Sequence, residues 1–153
     1  MTTRPTSARL SVPRLWPNST VVCLGTGPSL TQEDVDSCRG RARVIAVNNA
    51  YKLAPWAECM YAADDKFWSW EKGAPTFAGA KYTIDTTRRV WPGLVSLRNT
   101  GSHGLERDAT GLRTGFNSGY QAINLAVHLG ATRVVLLGCD MMGDHYFGSH
   151  PDR

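Results

Sequence analysis

Val21 to Leu30 reads Val-Val-Cys-Leu-Gly-Thr-Gly-Pro-Ser-Leu, an apolar run that closes on a glycine turn. Few architectures begin this way. Strand, glycine turn and helix in succession is how α/β proteins present backbone N–H groups to a phosphate. Gly25 and Gly27 allow a sharp turn and a close approach of ligand to backbone. Pro28 has its φ preset for a first helical turn, so a helix is expected at once. Ser29 adds a hydroxyl, and Thr26 lies between the glycines. The plainer reading is a strand-to-helix turn without a ligand, because Gly-x-Gly alone is weak evidence.

The turn also excludes two chemistries. A dinucleotide fingerprint needs a third glycine where this chain has Leu30, and a carboxylate about twenty positions on. The matching strand end reads Val47-Asn48-Asn49, which offers amides. No Gly-Lys-Ser/Thr comes after the turn, so it is not a P-loop.

The rest of the chain alternates short apolar runs with helical stretches. Strands are expected at Thr20–Gly25, Arg43–Asn48, Cys59–Ala63, Lys81–Ile84, Leu94–Leu97 and Arg133–Gly138. Helices are expected from Thr31, which caps with Asp34 three residues on, to near Gly40, and over Lys66–Glu71. The clearest helix is Asn117–Gly130, read as a Ser118-to-Gln121 capping box with Tyr120, Ile123 and Val127 on one face and Gly130 at its end. Asn99 to Phe116 reads as a glycine-rich loop without periodicity. The fold class is therefore α/β: a Rossmann-like, doubly wound, mainly parallel sheet with helices on both faces. Residues 1–19, rich in Pro, Ser, Thr and Arg, form an irregular lead-in from which Trp16 packs back onto the body. Residues 20–153 form a single domain.

In such sheets ligands bind beyond the C-terminal strand ends. That rule gathers Gly25, Thr26, Gly27, Pro28 and Ser29 from the first strand, and Asn48 and Asn49 from the second. The third strand adds Asp64. Asn117, Ser118 and Gly119 open the last helix, and Asp140 ends the last strand, with His145, Tyr146 and His150 beyond it. Helix N-termini, amides and hydroxyls together suit a nucleotide. Each residue also has a structural alternative. The asparagines close a turn, Ser118 caps its helix, and Asp64 and Asp140 cap the turn or helix next in the chain. His145 and His150 are then solvated loop residues, and His128, mid-helix, is structural.

Net charge is +4 and the pI about 9.0. Arginines at positions 4, 9, 14, 88, 89, 98, 107 and 113 suit an anionic ligand as well as a nucleic acid, but no recognition motif supports the latter. The four cysteines are far apart, without Cys-x-x-Cys, which argues against zinc. No apolar run approaches twenty residues and no secretion-signal core precedes the domain, so no membrane partner is expected and the inferred location is the cytoplasm.

With these residues assembled, the chain resembles two related groups. The first is the bacterial lipooligosaccharide sialyltransferases that use CMP-sialic acid, matched at Gly25–Leu30, Asn48, Asn117–Asp140 and Tyr146. That resemblance implies a nucleotide-sugar donor and a hydroxyl acceptor, with the glycine turn, Asn48 and Ser118 at the nucleotide and the Tyr146 hydroxyl at the phosphate. It requires no cofactor. The second is the MptE-like pterin diphosphokinases, which share the Gly-Pro-Ser-Leu turn and an aspartate like Asp64. This resemblance implies ATP and magnesium, with Asp64 and Asp140 as metal ligands. The chain also looks like short phage or prophage reading frames bearing the same two blocks, which would place it in a bacterium or an infected host cell. A non-catalytic phage nucleotide-binding protein is the third reading. One departure stands out: the sialyltransferases place their general-base histidine well beyond the tyrosine loop, and this sequence stops at Arg153. Either His150 or His145 substitutes, the domain is C-terminally truncated, or there is no transfer.

Overall fold

The computed structural model describes residues 10–84 and 91–139. Seven strands among them form one sheet: β1 (Ser19–Leu24), β2 (Arg43–Val47), β3 (Cys59–Tyr61), β4 (Ala80–Ile84), β5 (Leu94–Asn99), β6 (Gly111–Leu112) and β7 (Ala131–Leu137). Their order is β6-β5-β4-β3-β2-β1-β7, and every pairing among them is parallel. The strands from β1 to β6 add in one direction, and β7 lies on the opposite side of β1. Among the described residues three α-helices, α1 (Gln32–Cys38), α2 (Asp65–Trp70) and α3 (Ser118–Leu129), flank the sheet.

Continuous apolar runs make both faces of the central strands apolar, and both are covered. Val21 and Cys23 of β1, Ile45 and Val47 of β2 and Tyr61 of β3 share one core with Ala122, Leu125, Ala126 and Leu129 of α3. The alternating residues Val22, Leu24, Val44, Ala46 and Met60 join a second core with Val35 of α1 and Phe67 and Trp68 of α2. Trp16 and Val12 of the lead-in are buried in the first core. The lead-in is tied down by Trp16 N–H donating to Leu129 O at 2.7 Å and Asn18 N–H to Gly130 O at 3.0 Å.

Four expectations are corrected. No helix begins directly at Pro28: Pro28 and Ser29 form a turn, and α1 begins at Gln32 behind its N-cap Thr31. The Thr31 hydroxyl, with its reciprocal Asp34 carboxylate, is the better start signal because it satisfies two orphan N–H groups. The cap of α3 is Asn117, whose carboxamide oxygen accepts from Gly119 N–H at 2.7 Å and Tyr120 N–H at 3.2 Å. Ser118 is the first helical residue, and Gln121 does not close a capping box.

The buried face of α3 agrees with the expected one at Ile123, which packs against the first core, and departs from it at Val127. Val127 is about half exposed, while Gln121, Asn124 and His128 are buried polar residues. They are buried because each has a partner: Gln121 Oε1 accepts from Tyr61 OH at 2.5 Å, Asn124 Oδ1 from Glu106 N–H at 2.9 Å and Arg113 N–H at 3.1 Å, and His128 Nε2 lies 2.8 Å from Gly111 O. Those bonds also convert the supposed loop Asn99–Phe116 into a structured segment. It contains β6, which pairs with Arg98 and Asn99.

Candidate functional site

At the C-terminal rim of the sheet the ends of β1 and β7 stay bonded to each other. Gly25 N–H donates to Leu137 O at 2.8 Å, and Gly27 N–H to Gly138 O at 2.6 Å. Two of the turn's backbone donors are thus held by β7 and the glycine after it. A Cβ on Gly25 would lie 2.5 Å from Gly138 O, and one on Gly138, at φ +68°, 3.0 Å from Gly25 O. The two strand ends cross back to back, and only glycine fits at Gly25. Thr26 and Leu30 are buried against this crossing. Cys139 comes next, with its Sγ 3.7 Å from Cys23 O.

Beside this crossing the ends of β2 and β3 and the start of α3 enclose a cavity of about 70 Å³, lined by Asn48, Asn49, Asp64, Phe67, Trp70, Glu71 and Ser118. Four expected rim residues, from three separate segments, therefore meet at one place. Gly25, Thr26, Gly27, Pro28 and Ser29 do not line it, and Asn117 and Gly119 serve the helix cap. Asp140, His145, Tyr146 and His150 lie outside the described residues, as do Arg4, Arg9, Arg88 and Arg89.

Local structure explains how each side chain arrives. Asn48 has φ +53°, the left-handed region that asparagine tolerates, and starts a 3₁₀ turn over Asn48–Lys52. Asn49 is next, with its Oδ1 buried and without a hydrogen-bond partner among the described residues, which is unusual for a buried amide oxygen. Asp64 caps α2 by accepting Lys66 N–H at 2.9 Å. Glu71 accepts from Tyr51 OH and from Lys52 Nζ, the latter at 3.0 Å. Burial, with Glu71 beside it, pushes the Tyr51 phenol above its ordinary value, so it stays a donor. With Asn117 capping α3, the Ser118 hydroxyl has no hydrogen bond among the described residues.

Of two positioning residues, Tyr61 was not singled out from sequence and Gln121 was read only as a capping-box partner. Tyr61, at the end of β3, donates to Gln121 Oε1, and Gln121 Nε2 donates to Thr114 O at 2.8 Å. This buried chain fixes the first turn of α3 over β3. Burial raises the Tyr61 phenol, which keeps the donor protonated. A tyrosine ending an apolar strand and a glutamine in a first helical turn were the available signals. Trp70, half exposed at the cavity edge, supplies the aromatic surface, whereas Trp68 is fully buried with Nε1–H on Ala62 O at 3.0 Å.

Among the described residues no Lys or Arg lines the cavity; its charged members are Asp64 and Glu71. It can accept hydrogen bonds from hydroxyl or amine groups, or hold a cation between oxygen donors. Among the described residues no group of three or more His, Cys, Asp or Glu is placed to hold a metal ion. No helix among them is long and apolar enough to cross a membrane.

Fold and rim define an α/β protein whose parallel sheet carries a small polar cavity at its C-terminal edge. No protein-family model, no curated protein and no solved structure matches the chain.

Proposed function

We propose that this chain binds a nucleotide-sugar at the C-terminal rim of a doubly wound, Rossmann-like sheet and transfers the sugar to a hydroxyl acceptor, as a glycosyltransferase resembling the bacterial CMP-sialic acid sialyltransferases. The observation that carries this reading is the convergence of Asn48, Asn49, Asp64 and Ser118 on one cavity. That cavity takes a portion of the ligand. Its carboxylate and amide oxygens suit ribose hydroxyls or an exocyclic amine, and Ser118 with the first turn of α3 suits the phosphate. His150 or His145 takes the acceptor proton as a neutral imidazole. The Tyr146 and Ser118 hydroxyls stabilise the departing phosphate. This chemistry needs no metal.

The test is a thermal-shift series on the full chain with CMP, CDP, UDP, GDP and ATP, each with and without magnesium. A ligand that binds only the folded state raises the melting temperature. A metal-independent shift with a cytidine nucleotide is expected, and Ser118→Ala is expected to weaken it about three- to tenfold, the worth of one hydrogen bond. Unchanged affinity in that variant sinks the assignment.

A second reading is favoured by the acidic wall. A triphosphate beside Asp64 and Glu71 needs a cation between them, as in a magnesium-dependent diphosphokinase with Asp64 and Asp140 as ligands. An ATP shift that requires magnesium and disappears in Asp64→Asn selects it. Nucleotide binding without turnover of either kind selects a non-catalytic nucleotide-binding protein.

A further inference from the structure

A second, larger cavity lies away from the rim. It has a volume of about 540 Å³ and is lined by Arg14, Leu105, Glu106, Arg107, Ala109, Val127 and His128. From Ser118 to His128 the helix α3 rises about 15 Å, so this cavity sits near the opposite end of α3 from the rim. The lead-in forms one wall and is fixed there by Val12 N–H donating to Ala109 O at 2.9 Å.

Its charges are unevenly matched. Neither the Arg14 nor the Arg107 guanidinium has a hydrogen bond or ion pair among the described residues, whereas Arg98 and Arg113 nearby are paired with Asp108 and Glu106. Glu106, the acid of the lining, is already engaged. Its carboxylate lies 3.4 Å from Arg113 Nε and accepts Asp108 N–H at 3.0 Å, and these contacts, the Asp108 N–H foremost, hold it below the ordinary carboxylate range. His128 is 9% exposed. Its Nε2 lies 2.8 Å from Gly111 O, which can only accept, so Nε2 carries the hydrogen. Leu105 and Val127, about half exposed, add an apolar surface.

The arginines are not needed to cap α3. Its last-turn carbonyls already accept backbone N–H groups: Val127 O from Gly130, and Leu129 O from Trp16. Two unpaired, solvent-exposed guanidinium groups from separate segments, beside a half-exposed apolar surface, match an anion with an apolar body. The volume is that of an ordinary small-molecule site.

We infer that Arg14 and Arg107 form a second binding site, distinct from the rim, for a small organic phosphate monoester whose apolar part rests on Leu105 and Val127 beside the His128 ring. The phosphate spans the two guanidinium groups, which supply several donors for its oxygens.

The experiment is a titration of the ¹⁵N-labelled full chain with phenyl phosphate at constant ionic strength, read by amide shifts and repeated with benzoate and with inorganic phosphate. Saturable shifts centred on Arg107, Ala109, Val127 and His128 are expected, with phenyl phosphate tighter than either simpler anion. Arg14→Gln and Arg107→Gln are each expected to weaken binding about tenfold, without changing the melting temperature. Non-saturating shifts, no shifts at Arg107, Ala109, Val127 and His128, or affinity read at those amides unchanged in the double variant would each overturn the site. Equal affinity for benzoate would overturn the phosphate assignment. None of these outcomes depends on whether the rim binds a nucleotide.

Discussion

Gly25 carries a packing constraint that needs no ligand. A methyl group there would press on Gly138 O at 2.5 Å, and that carbonyl is held in place by Gly27 N–H. Gly25→Ala is therefore expected to destabilise the fold by about 1–3 kcal/mol, the usual cost of overpacking, measured as a lowered urea midpoint. Unchanged stability would mean that the strand ends separate freely and that the glycine serves a ligand alone. The glycines were legible in the sequence but this partner was not, because Gly138 becomes a neighbour only when β7 pairs with β1. Asn48 and Asn49 were legible as rim residues because they end an apolar run. The left-handed backbone of Asn48 and the Oδ1 of Asn49, unpartnered among the described residues, were not legible, since both depend on the path of the 3₁₀ turn in the folded chain.

At the scale of elements, α3 separates capping from ligand recognition. Asn117 takes two N–H groups of its first turn. Asn117→Ala is expected to cost about 1 kcal/mol of stability, whereas Ser118→Ala leaves stability within about 0.5 kcal/mol; chemical denaturation of the two variants in parallel checks this. A loss of stability in Ser118→Ala instead would return the cap to the serine. Sequence placed both residues at the helix start and chose the serine wrongly, since each is a favoured cap and they are adjacent. The same limit explains β6. Two residues, Gly111 and Leu112, carry no periodicity, and what makes them a strand is pairing with Arg98 and Asn99 and the bonds that Asn124 and His128 send from α3. By contrast β1, β2 and the Thr31–Asp34 box were legible, because burial on two faces and reciprocal capping are written in consecutive residues.

For the whole molecule, the core beneath α3 contains acids that must stay protonated. Burial, then the neighbouring Cys139, pushes the Cys23 thiol from the ordinary 9.0 up to about 12, and burial likewise raises Cys59. The folded state then holds more protons than the unfolded chain between those values, so stability is fully present below about pH 9 and is lost as pH rises toward 12. Urea midpoints at pH 8, 9, 10 and 11 should fall steadily over the last three; a flat series would contradict the buried, protonated thiols. The strand order has a consequence in time as well. β1 emerges from the ribosome first and pairs with β2 early, but its other edge is covered only by β7. At ordinary elongation rates of roughly 5–20 residues per second, that edge waits on the order of ten seconds. During the wait Gly25 and Gly27 lack the carbonyls that shape their turn, so the nascent protein carries both an open template for wrong strand pairing and a rim that has not yet formed.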